Sequence, residues 1–203
     1  MILPRLNFKI IMIILRLAMN RRSVRRYLST PIPKEDIKYV LEVARHAPSG
    51  GNRQPWRFIL VYSDGLKREI RKYCEEAEKR FYERAPKDFI DWARSRGITW
   101  VKSFLTEAPI LILVFGKTDE PYWIGSVWLA IGYLILAAEE KGYATLTYTP
   151  SNVKWANKLF KVPEEYVLAA IIPIGVAGEK PSNPGRLELS EIVYLEEWGE
   201  KFN

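Results

Sequence analysis

A chain of 203 residues, 48% hydrophobic and 27% charged, is long enough to bury one sizeable core and too rich in aromatics (13%) for a disordered segment. A single cysteine, Cys74, excludes an internal disulfide, and a single histidine, His46, leaves too few ligands for a zinc hydrolase. The net charge of +7 is local: residues 1–34 carry 8 Lys or Arg and no acid, whereas the rest carries 23 basic against 24 acidic side chains.

Residues 1–11 are expected to be an N-terminal extension. The uninterrupted apolar run Ile10–Leu15 is too short for a secretory or membrane segment, so the chain is expected to be cytoplasmic and free of membrane. The pattern predicts a helix over Met12–Met19, then the cluster Arg21-Arg22-Ser23-Val24-Arg25-Arg26, a break at Ser29–Pro33 and an amphipathic helix over Lys34–Arg45. Pro48–Pro55 reads as a loop carrying Gly50-Gly51, and Phe58–Tyr62 as a buried strand. Helical, charged sequence follows over Leu66–Arg84, Lys87–Arg94 and Thr99–Thr106, and Ile110–Phe115 reads as a central strand. Trp123–Ala138 has helical length and is apolar all round, which predicts burial on every side and a subunit interface as well as a core. Tyr143–Tyr148 and Tyr166–Ile174 complete the strands, and the lack of strict βαβ alternation predicts an α+β fold with a mixed sheet.

Three segments carry chemistry. Guanidinium forks in Arg21-Arg22-Ser23-x-Arg25 suit phosphate oxygens, either of a nucleic acid or of one phosphorylated cofactor. In Ala47-Pro48-Ser49-Gly50-Gly51-Asn52-Arg53-Gln54-Pro55-Trp56 the glycines let a planar ligand approach the backbone, while Ser49, Asn52 and Gln54 offer hydrogen bonds. Thr147-Tyr148-Thr149-Pro150 places hydroxyls at a strand end. Taken singly, the three also read as a solvated charged turn, an ordinary helix-to-strand loop and a strand stopped by proline, respectively.

Taken together with Ile172-Pro173-Ile174-Gly175 and the late Arg186, they resemble the nitroreductase family of FMN-dependent oxidoreductases over nearly the whole chain. That resemblance implies a three-layer α+β fold, an intertwined homodimer and one domain over residues 12–203, with residues 66–106 forming a helical lid. It also implies an FMN site built from Arg21, Arg22, Ser23, Val24, Arg25, Pro48, Ser49, Gly50, Asn52, Thr147, Tyr148, Thr149 and Arg186. Thr149 and Thr147 are implied to hydrogen-bond flavin N5 and tune electron transfer. The local charge excess then serves a cofactor, and the nucleic-acid alternative loses its support; no metal is implied.

A finer resemblance is to the iodotyrosine deiodinase branch. Ala108-Pro109-Ile110-Leu111-Ile112-Leu113 and Thr147-Tyr148-Thr149-Pro150-Ser151-Asn152 match it, and Glu78, Tyr82 and Lys102 match a lid that clamps the amino-acid end of a halotyrosine. There Glu78 meets an ammonium, Lys102 a carboxylate, and the Gly51 N–H a phenolate. Tyr148 departs from the branch, which has threonine there, and the Glu78-to-Lys102 interval differs by one residue. The implied function is reductive dehalogenation of halotyrosines. The alternatives are an NAD(P)H-dependent nitroreductase or quinone reductase, with NAD(P)H the candidate electron donor, and a non-catalytic flavin- or tyrosine-binding protein.

Overall fold

A computed structural model describes residues 13–202; the expected extension over residues 1–11 and the start of the first helix at Met12 lie outside the described residues. In chain order the elements are α1 (Ile13–Asn20), α2 (Lys34–Arg45), β1 (Trp56–Val61), α3 (Asp64–Tyr82), α4 (Lys87–Ser95), α5 (Phe104–Glu107), β2 (Ile110–Lys117), α6 (Trp123–Glu140), β3 (Ala144–Thr145), α7 (Lys154–Phe160), β4 (Tyr166–Gly175) and α8 (Leu189–Ile192).

The strands form one sheet in the order β1-β2-β4-β3. Every pair of named strands is antiparallel, and the parallel link in this mixed sheet is the bridge between Ser23 and Thr145. Strand β2 is buried on both faces, and its alternation sorts the core into two halves. Ile110, Ile112 and Val114 pack with α2 and α6 on one side, whereas Leu111, Leu113 and Phe115 pack with Ile70, Cys74, Leu105 and Ala156 of α3, α5 and α7 on the other. The result is three layers.

Three expectations are corrected. The strand expected over Tyr143–Tyr148 is only two residues long, and pairing resumes as a single bridge between Tyr148 and Ile171. Pro173 of β4 lies opposite Leu146 and has no N–H to return, so the ladder breaks there. The helix expected over Thr99–Thr106 is reduced to α5, because the preceding stretch is held by side chains instead. The Glu75 carboxylate accepts the Lys102 N–H at 2.7 Å, and Lys102 Nζ donates to the Thr99 carbonyl at 2.6 Å. Helix α6 is not buried on every side within one chain. Ser126, Val127, Ala130, Ile131, Leu134, Ala137 and Ala138 face the core, while Ile124, Trp128, Leu129 and Tyr133 are exposed.

Candidate active site

The bridge between Ser23 and Thr145, reinforced by the Val24 N–H donating to the Thr145 carbonyl at 3.1 Å, lays the arginine cluster along the edge of the sheet. There Arg21, Arg22, Ser23 and Arg25 line one cavity of about 310 Å³, and Arg186 reaches it from the C-terminal segment. Five of the residues matched from the cofactor motifs are thus brought together. The cavity gains two cationic and polar groups that no motif marks: Arg96, just beyond α4, and Ser182. None of Arg21, Arg22, Arg25, Arg96 or Arg186 forms an ion pair with a described residue. Burial, and next the Arg186 guanidinium, hold the Arg21 pKa below its ordinary value. Two carboxylates lie near, Glu139 acting on Arg21 and Glu179 taking the Arg25 N–H, but five guanidiniums outnumber them, and this excess of positive charge fits a doubly charged phosphate. Arg22 has a second task, since its Nη1 caps the end of α1 on the Met19, Asn20 and Arg21 carbonyls.

Val24 and Tyr148 sit differently from the other matched positions. The Val24 side chain is core, and its N–H and carbonyl are bonded to Thr145 and the Tyr27 hydroxyl. Tyr148 is buried, with both backbone groups on Ile171 and its hydroxyl donating to Glu78 Oε1 at 3.0 Å. Thr147 is half-buried and Thr149 exposed, and neither hydroxyl is bonded to a described residue, so both are free for a ligand.

The three lid residues converge. Glu78 and Lys102 are buried, with Nζ 3.6 Å from Glu78 Oε2, and the Ser151 N–H donates to Glu78 Oε1 at 3.2 Å. The Tyr82 and Tyr148 rings lie 5.9 and 5.5 Å from Lys102 Nζ. Burial lowers the Lys102 pKa, and Glu78 opposes that shift. Lys102 Nζ bonds the Thr99 carbonyl, and the neighbouring Ile98 lines the arginine cavity, which sets the lid pair beside it.

The Pro48–Pro55 loop is elsewhere. Its single helical turn, Gly50–Asn52, packs on the start of α6, where the Gly50 N–H donates to Ser126 Oγ at 3.2 Å. A Cβ on Gly50 would come within 2.8 Å of Tyr122, so only glycine fits. Gly51 takes φ +55°, and its N–H has no partner among the described residues. Ser49 Oγ accepts the Gln54 N–H, and the Asn52 carboxamide accepts from Gln54 Nε2. This loop precedes Trp56, opposite Gly116 of β2, whereas Ser23 follows the line Ile110, Ile174, Thr145. At about 3.4 Å per residue and 4.8 Å per strand, the two halves lie about 20 Å apart along the sheet and about 19 Å across it. One chain cannot bring both to one small ligand.

Fold and site together define a nitroreductase-type protein, and the chain belongs to the nitroreductase family, whose family model matches residues 18–176. Within that family it is 46% identical over 169 residues to the iodotyrosine deiodinase of Thermotoga neapolitana, covering 83% of this chain and 91% of that protein. It is 33% identical over 171 residues to the iodotyrosine deiodinase of Haliscomenobacter hydrossis, covering 79% and 77%. A crystal structure of an oxidised iodotyrosine deiodinase bound to FMN and 3-iodo-L-tyrosine superposes with a TM-score of 0.84 at 43% identity, covering 90% of this chain and all of that one.

Proposed function

We propose that this protein is an FMN-dependent reductive dehalogenase of halotyrosines that works as a cytoplasmic homodimer of a single-domain chain. The observation that carries the proposal is the buried Glu78–Lys102 pair, with Tyr82 alongside, next to a cavity of unpaired arginines. Similarity to the iodotyrosine deiodinases over most of the chain supports it.

Arg21, Arg22, Ser23, Arg25 and Arg186 would hold the phosphate of FMN, with the sheet edge at Thr147 and Thr149 alongside. FMN, when bound and reduced, would supply the two electrons that, with a proton, replace a carbon–halogen bond by carbon–hydrogen, the halogen leaving as halide. The chain's own task is placement. Glu78 accepts the substrate ammonium, Lys102 and Tyr82 meet its carboxylate, and the unpartnered Gly51 N–H donates to its phenolate. Thr149 and Thr147 offer hydroxyl donors at the reacting edge. Because Ser49–Asn52 and Arg21–Arg25 sit at opposite corners of the sheet, a second copy brings its Pro48, Ser49, Gly50, Gly51 and Asn52 to the first chain's arginines. The exposed apolar face of α6 is assigned to that contact. Although α6, with a mean hydropathy of 1.3 over 18 residues, is apolar and long enough to cross a membrane by composition, its core-facing half belongs in a soluble fold.

The test is a titration of the oxidised, FMN-loaded protein with 3-iodotyrosine and with 2-iodophenol, followed by dithionite-driven iodide release. The amino acid should bind much the more tightly, because the phenol leaves the lid charges without partners. Glu78→Gln and Lys102→Met should erase that preference and leave FMN binding intact. Equal affinities would replace this proposal with a general nitroreductase or quinone reductase drawing on NAD(P)H.

A further inference from the structure

Glu78 is a charged group taken almost out of water, and its two oxygens are treated unequally. Oε1 accepts two hydrogen bonds, from the Tyr148 hydroxyl at 3.0 Å and from the Ser151 N–H at 3.2 Å. Among the described residues Oε2 faces only Lys102 Nζ at 3.6 Å, beyond a good hydrogen bond. Lys102 Nζ meanwhile makes its short bond to the Thr99 carbonyl. The carboxylate is therefore anchored through one oxygen and open through the other.

The anchor is itself immobile. Both backbone groups of Tyr148 bond Ile171, at 3.0 and 2.8 Å. Its ring packs edge-on against Phe104, with centroids 5.4 Å apart, and its hydroxyl lies in the buried pocket that also holds Cys74. Tyr148 belongs to the central sheet and Glu78 to the lid helix α3, so this bond pins the lid to the sheet at the carboxylate. A threonine at this position is too short for its hydroxyl to span that gap.

We infer that Tyr148 is a positioning residue for the amino-acid end of the substrate: by holding Glu78 Oε1 it aims Oε2 at the ligand's ammonium and keeps the lid carboxylate in place before the ligand arrives. The inference rests on the proposed halotyrosine function and deepens it. Without the Tyr148 hydroxyl, Oε1 keeps only the Ser151 N–H, and the carboxylate is free to turn away from the ammonium's position. The Tyr148 hydroxyl bonds Glu78 while its ring lies over Lys102 Nζ, so a phenylalanine keeps the ring contact and removes only the bond to Glu78.

The experiment compares wild type, Tyr148→Phe, Glu78→Gln and the double variant as FMN-loaded protein, titrated with 3-iodotyrosine and with 2-iodophenol by flavin fluorescence. Tyr148→Phe should weaken 3-iodotyrosine about tenfold, the worth of one hydrogen bond to a charged group, and leave 2-iodophenol and FMN affinity unchanged. In the Glu78→Gln background the same substitution should change 3-iodotyrosine binding little, since the group it acts through is gone. Tyr148→Thr should reproduce the loss, which keeps the test available if the phenylalanine variant folds poorly. If wild type prefers 3-iodotyrosine and Tyr148→Phe keeps the full preference, the positioning role is overturned and the halotyrosine function stands. If Tyr148→Phe weakens both ligands equally, the residue serves the fold alone and the inference falls. A wild type without preference overturns both.

Discussion

Replacing Arg186 with glutamine separates what the arginine cavity does for a phosphate from what it does for the fold. The guanidinium lines the cavity from an exposed segment, with its Nη1 on the Gly185 carbonyl and no described residue as ion-pair partner. Its charge acts on Arg21, whose pKa burial and then Arg186 lower. With a phosphate present, loss of one charge-assisted contact should cost about 1.5–3 kcal/mol, roughly a ten- to hundredfold loss of FMN affinity. Riboflavin, which lacks the phosphate, should bind wild type and variant alike. Without ligand the sign reverses. Removing one of two like charges should leave the apoprotein as stable as wild type or slightly more so, by at most about 0.2–1 kcal/mol because Arg186 is exposed and screened. Flavin fluorescence titrations and urea unfolding of the apoprotein measure the two effects. Equal losses for FMN and riboflavin would refute the phosphate assignment, as would a variant apoprotein less stable than wild type together with unchanged FMN binding.

Leu129→Arg, on the exposed face of α6, should yield a monomer by light scattering that also loses its flavin absorbance, since the proposed cofactor site needs both copies. Stability should fall as pH rises above about 9. Burial pushes the Cys74 thiol from 9.0 up to about 12, so the unfolded chain gives up its proton first and the native state is favoured less and less until pH passes the folded value. Tyr148 and Tyr27 are raised by burial as well and act in the same direction, so Cys74→Ala should flatten the decline in urea midpoint between pH 8 and 11 only in part.

What the sequence made legible follows from strong local signals. The continuous apolar run at Ile110–Phe115, the periodic face of Lys34–Arg45 and the long apolar stretch of Trp123–Ala138 needed no tertiary information, and each became the expected element within two residues at either end. The short β3 did not, because its cause, the missing N–H of Pro173, acts across the sheet from a residue far along the chain. The lone turn at α8 carries too short a pattern to be seen. Arg96 and Ser182 reach the cavity through the path of the backbone and belong to no motif. Tyr148 is a different case, because its signal was present. A strand of period two puts Tyr148 on the opposite face from Thr147 and Thr149, which already argues against all three meeting one ligand through their side chains.

The two anomalies of the single chain have one resolution under the proposed function. A cluster of arginines that outnumbers its carboxylates is electrostatically unfavourable until an anion enters, and an apolar helix face is unfavourable until another surface covers it. The loop that would complete the flavin site is carried on the start of that same helix, through Gly50 on Tyr122 and Ser126. Docking a second α6 therefore covers apolar surface and carries Ser49–Asn52 toward the partner's cavity in one movement. Cofactor affinity and assembly then become linked equilibria: each phosphate contact stabilises the dimer, and each apolar contact raises the affinity for flavin. The lid adds a third level. Its clamp, Glu78 with Lys102, lies on the chain that supplies the arginines, whereas the Gly51 N–H comes from the other copy. A halotyrosine held by both ends is then gripped across the subunit boundary, and its phenol and amino-acid ends are read by different chains.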